Sequence, residues 1–121
     1  MMNHMMNHMR SKPKQAVIFE VIPKPQHHAD YLSIAAELLP TLEQIEGFIS
    51  VERFESLSQK GKLLSLSFWE DEQAIRRWRE QLDHQNAQQA GRFSLFETYR
   101  LRVASVSRDY GPHARDEAPQ P

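Results

Sequence analysis

The chain has 121 residues, 40% of them hydrophobic, a formal net charge of −1 and no cysteine. One domain of this size buries a core without covalent staples, and the missing thiols exclude disulfides, thiolate catalysis and cysteine-ligated zinc. Mixed charge argues against a nucleic-acid binder, no apolar run approaches the roughly 18 residues of a membrane helix, and no signal-peptide stretch opens the chain, so the expected setting is a reducing cytoplasm.

Residues 1–14 read as a disordered tail, 15–107 as the folded domain and 108–121 as a C-terminal tail. The first tail carries a near-repeat, Met2-Asn3-His4-Met5 and Met6-Asn7-His8-Met9. Thioether and imidazole together suit copper, and a chain started at Met2 would place His4 third, where it could chelate Cu(II) with the backbone. A tail with no role is the plainer reading.

Ala16 to Ile22 alternates as a strand and stops at Pro23 and Pro25, which donate no ladder hydrogen bond. His28 to Leu39 has Tyr31, Leu32, Ala35, Leu38 and Leu39 at helical spacing. Pro40 is expected to kink or stop that helix, Thr41-Leu42-Glu43-Gln44 to cap a restarted turn, and Gly47 to close it. Phe48–Phe54 and Lys62–Trp69 are two strands joined by a polar loop ending in Gly61. Asp71 is a plausible N-cap for a helix running to about Ala90, with Ala74, Ile75, Trp78 and Leu82 on one side. Ser94 to Val106 is the last strand. Leu95, Glu97, Tyr99, Leu101 and Val103 share one face, and Phe96, Thr98, Arg100, Arg102 and Ala104 the other. Its far half is expected to lack a mate within the protomer and to reach a second subunit.

The order strand, helix, strand, strand, helix, strand, with right-handed crossovers, predicts a ferredoxin-like βαββαβ fold. Both helices cover one face of a four-stranded antiparallel sheet. The other face is apolar and bare, so a second copy is expected to seal it, sheet against sheet.

Several segments together resemble the antibiotic biosynthesis monooxygenase (ABM) family of dimeric α/β barrels. They are Gly47-Phe48-Ile49-Ser50, Leu64-Ser65-Leu66-Ser67-Phe68-Trp69, Ala74-Ile75 with Trp78, His84, Ala87-Gln88, Gly91-Arg92 and Tyr99-Arg100-Leu101-Arg102-Val103-Ala104. The resemblance spans Ala16 to about Tyr110. It implies one of two activities. Some relatives oxygenate quinols or anthrone-like polyketides with O₂ and neither metal nor flavin, the substrate's own carbanion reducing oxygen. Others bind and degrade haem, using an Asn on the first strand, a Trp on the second helix and a ligand His further along it. Trp78 matches that Trp, but the ligand position falls near Gln88 and the first strand has no Asn.

The expectation is therefore a cofactor-independent monooxygenase for a small aromatic substrate, with no metal. Its pocket would lie between helices and sheet, lined by Phe19, Phe68, Trp78 and Leu82. His84, whose ordinary pKa lies near neutrality, is the candidate acid/base. Counting six residues on from Trp78 sets it about 120° away around a straight helix. Tyr99 and Arg100, on opposite faces of one strand, are alternative contacts to a substrate hydroxyl or enolate. Trp69, at a strand end, reads as packing. The rival function is a non-catalytic dimeric binding protein for a small apolar molecule.

Overall fold

The computed structural model describes residues 12–88 and 95–120, with the side chains of 83–88 excepted. Four strands, β1 (Gln15–Pro23), β2 (Phe48–Glu55), β3 (Leu63–Trp69) and β4 (Phe96–Ser105), form one antiparallel sheet in the order β2-β3-β1-β4. Two helices, α1 (His28–Glu43) and α2 (Glu72–Gln88), complete the βαββαβ arrangement expected from the sequence. Among the described residues no helix is long and apolar enough to cross a membrane.

The register fixes which side chains meet. Val17 lies opposite Ser67 and Val103, Phe19 opposite Ser65 and Leu101, and Val21 opposite Leu63 and Tyr99. Side chains alternate across a strand, so these odd-numbered positions share one face. Both helices pack on it. Val17 and Trp69 join Leu42 of α1 with Ala74 and Ile75 of α2 in the main cluster, and Val21 and Leu63 join Tyr31 in a second. The even positions Ile18, Leu64, Leu66 and Phe68 lie on the opposite face, which no helix covers.

Two irregularities change this parity. A register shift between Phe48 and Ser50 turns Phe48 onto the helix face together with Val51 and Arg53. Another at Ile22/Pro23, where Pro23 pairs with Phe96, does the same for Phe96.

Three sequence expectations are corrected. Helix α1 does not stop at Pro40 but runs on to Glu43. The proline stands in the last turn, and the burial of Leu42 beyond it is worth about 1.5–3 kcal/mol, the order of what a helix proline costs. No new N-terminus forms at Thr41, whose carbonyl accepts from the Gln44 N–H instead. The far half of β4 has its mate within the protomer. The ladder with β1 runs to Gln15 opposite Ser105, and Val106 N–H extends it to the Lys14 carbonyl at 2.9 Å.

Turn chemistry follows the sequence closely. Gly47 and Gly61 both adopt positive φ, 91° and 88°. Gly47 is required twice over: a Cβ there would stand 2.6 Å from the Ala74 Cβ. Its carbonyl also accepts from Glu70 N–H at 2.8 Å, which ties the end of β3 to the entry of β2. Asp71 caps α2, its Oδ1 accepting from Ala74 N–H at 2.9 Å. Past β4 the chain makes local turns, with Gly111 N–H bonded to the Ala114 carbonyl and Arg115 over the Tyr110 ring. The Met/His repeat of the N-terminal tail lies outside the described residues.

Candidate functional site

The helices do not meet the sheet everywhere. Ser65 and Ser67 are small side chains on a floor that elsewhere carries Val, Phe and Trp, and they leave a cavity of about 280 Å³ beneath the roof. The roof comes from one face of α1, with Tyr31, Ile34, Ala35 and Leu38 at helical spacing, and from Trp78 and Leu82 of α2. Phe96, Tyr99 and Leu101 of β4 form one side. A cavity of this size, mostly apolar with few polar groups, is the usual form of a small-molecule site.

Aromatic rings frame both ends. Trp69 is fully buried and donates its Nε1–H to Ser67 Oγ at 2.9 Å. Trp78 stacks on it with 5.2 Å between ring centroids, and Phe48 meets it edge-on at the same distance. Trp69 is thus core, as its strand-end position suggests, while Trp78 serves both readings, packed on the core with its remaining surface in the cavity wall. At the other end Phe19, Phe96, Tyr99 and Tyr31 form a chain of tilted rings 5.6–6.1 Å apart.

Polar groups in the apolar wall include the hydroxyl of Ser65, the phenol of Tyr31 and the guanidinium of Arg53. Burial pushes the Tyr31 phenol up, against a smaller downward pull from the neighbouring Arg53 guanidinium. The Arg53 Nε is sealed from solvent without a hydrogen-bond partner.

Of the residues singled out in the sequence, Phe19, Trp78, Leu82 and Tyr99 come together around this cavity. Phe68 and Arg100 do not. Phe68 lies opposite Ala16 and Arg100 opposite Glu20, both on the sheet face turned away from the helices. The period of two separates each from its sequence neighbour in the wall. His84 falls within α2, and its side chain lies outside the described residues. The sequence reading missed Arg53, Ser65, Ser67 and Phe96 as wall residues and took Tyr31 only as a helix-face residue. The bulges concealed Arg53 and Phe96. The serines were visible as the polar breaks in an inward-facing row.

Fold and site together define a small ferredoxin-like protein with an apolar chamber between sheet and helices. The family model for antibiotic biosynthesis monooxygenase matches residues 14–90, and the chain belongs to that family. It is 49% identical over 92 residues to a jasmonate monooxygenase ABM of Pyricularia oryzae, covering 76% of this chain and 43% of that protein. The chain thus spans less than half the length of this fungal relative. Among solved structures it resembles SnoaB, a cofactor-independent oxygenase from Streptomyces nogalater (TM-score 0.65, 16% identity, 81% of this chain and 97% of that one). It is equally similar to the heme-degrader MhuD from Mycobacterium tuberculosis, solved with two hemes bound in its active site (TM-score 0.65, 14% identity, 80% of this chain and 99% of that one). At such identities these two likenesses concern the fold alone.

Proposed function

We propose that this chain is a cofactor-independent monooxygenase that oxygenates a small, apolar, enolisable substrate with O₂ inside the chamber between sheet and helices. The observation that carries the reading is the chamber itself: about 280 Å³, walled by aromatic and aliphatic side chains, in a chain of the monooxygenase family. A dry pocket suits chemistry in which the substrate supplies the electrons. An anthrone-like methylene loses a proton, and its carbanion passes electrons to O₂ to give a hydroperoxide. Loss of water then leaves the carbonyl, so one oxygen atom ends in the product and the other in water. The apolar wall keeps bulk water from the carbanion, and the Trp78 ring in that wall offers an aromatic substrate a ring to pack on. In this reading His84 accepts the proton. It needs no haem, and neither the Asn nor the ligand His expected of haem-degrading relatives stands at its position in the sequence.

The quinol- or anthrone-like class is the substrate expected from the sequence. The name of the fungal relative adds a second class, since jasmonate is an apolar carboxylic acid. In the same reading the protein works in the cytoplasm as a homodimer, joined through the bare face that carries Ile18, Leu66 and Phe68. The test is oxygen uptake with a panel of hydroquinones, anthrones and jasmonic acid. Uptake with at least one class, reduced in His84→Ala, is expected. No uptake with any member would contradict the reading.

A further inference from the structure

Among the described residues no carboxylate holds Arg53, and its guanidinium bonds the Tyr31 phenol. Among the described residues it is the only charged side chain in the chamber wall, and it takes part in none of the salt bridges. Its Nε is shut off from solvent and lacks an acceptor. A buried cationic N–H without an acceptor is costly, and such groups are rare unless something else satisfies them. The arginine reaches this position because the register shift after Phe48 turns Val51 and Arg53 inward, where Arg53 lies opposite Ser65 on the chamber floor. Arg53 and Ser65 both line the chamber.

The guanidinium determines the chemistry. With Nε sealed, a ligand in the chamber would meet the Nη–H groups, donors matched to the two oxygens of a carboxylate. A single enolate oxygen would engage one prong, and a neutral ester or ketone would bring no charge. The Tyr31 phenol stands beside the same guanidinium and, kept protonated by burial, has an O–H to donate.

We propose that Arg53 and Tyr31 form a carboxylate-recognition point in the chamber wall, so that the ligand is an apolar acid whose ring or chain lies along Trp78 and Phe19 while its carboxylate ends on the Arg53 fork. This rests on the chamber being the substrate site. It makes Arg53 a specificity-determining residue, and it selects the acid-bearing members of any enolisable substrate class.

Binding of 4-phenylbutanoic acid and of octanoic acid is compared with that of their methyl esters at neutral pH, by tryptophan fluorescence and calorimetry. Each acid is expected to bind about tenfold or more tighter than its ester. Arg53→Met is expected to bring the acids down to the level of their esters. Arg53→Lys, which keeps the charge but not the fork, is expected to fall between. Equal binding of acid and ester by the parent protein would overturn the proposal, as would undiminished acid binding in Arg53→Met. The first comparison needs no variant, so an unstable variant leaves the proposal open to refutation. Failure of acids and esters alike to bind would overturn it together with the chamber's role as a ligand site. Acid-selective, Arg53-dependent binding in a protein that consumes no oxygen would uphold it and leave the oxygenase reading to fall alone.

Discussion

At the scale of single residues, the chamber depends on a few polar atoms that the core must satisfy. Ser67 is buried and accepts the Trp69 indole N–H at 2.9 Å. Ser67→Ala removes the acceptor and leaves a buried donor unpaired, at a cost of about 1–3 kcal/mol. Urea unfolding of the two proteins measures this, and an unchanged midpoint would show that water or a shifted neighbour takes over. Tyr31 carries a pH signature. Its folded pKa is raised chiefly by burial above the ordinary 10.0. A raised folded value means that the stability it supports is complete below the ordinary value and is lost as pH climbs through the folded one. Tyr31→Phe is therefore expected to lose less stability than the parent as pH rises above 10.0. Parallel alkaline profiles would place the titrating group elsewhere.

Elements are held in place by turns and by one charge cluster. Gly47 combines positive φ with a 2.6 Å approach of its would-be Cβ to Ala74, the first buried residue of α2. Gly47→Ala is expected to destabilise by about 1–3 kcal/mol, read as a lowered melting temperature, because backbone and helix must both move. A loss of only a few tenths would mean that α2 shifts freely. On the uncovered face, Glu20 of β1 receives Lys62 from the β2–β3 connection and Arg102 from β4, each at 2.7 Å. The hydrogen bond and charge of Lys62, then Arg102, hold its carboxyl below the ordinary 4.5. A depressed folded value gives stability that is present above the ordinary pKa and lost as pH falls through the folded one. Glu20→Gln should thus flatten the acid limb of the stability profile, and an acid limb identical to the parent's would contradict this. The elements themselves were legible in the sequence because alternation, helical spacing and glycine turns all agree over Gln15–Trp69 and Asp71–Leu82. The α1 proline was not, since local preference says stop while the burial of Leu42 beyond it offsets that cost. Nor was the wall of the chamber fully legible. A strand's period of two sorts Tyr99 from Arg100 and Trp69 from Phe68 once the inner face is known. A bulge reverses that parity, and nothing local in Phe48-Ile49-Ser50 announces it.

At the scale of the whole molecule, a closed side joins an open one. Helices roof the side that holds the chamber. The other presents Ile18, Leu64, Leu66 and Phe68 around the Glu20 cluster, an apolar surface that a second copy would bury. Light scattering at micromolar concentration is expected to give twice the chain mass, and Phe68→Glu to halve it. A parent protein that runs as a monomer would contradict the proposed pairing. The proposed function requires that oxygen chemistry happen in the roofed chamber and be driven by the substrate alone. The most direct measurement is mass spectrometry of the product formed from an anthrone or hydroquinone under ¹⁸O₂ by haem-free, chelator-treated protein, beside Ala35→Leu, which narrows the chamber at its roof. The account predicts one ¹⁸O atom per product molecule and a sharp fall in yield for the variant. Product oxygen drawn from water, or turnover unaffected by the filled chamber, would contradict it.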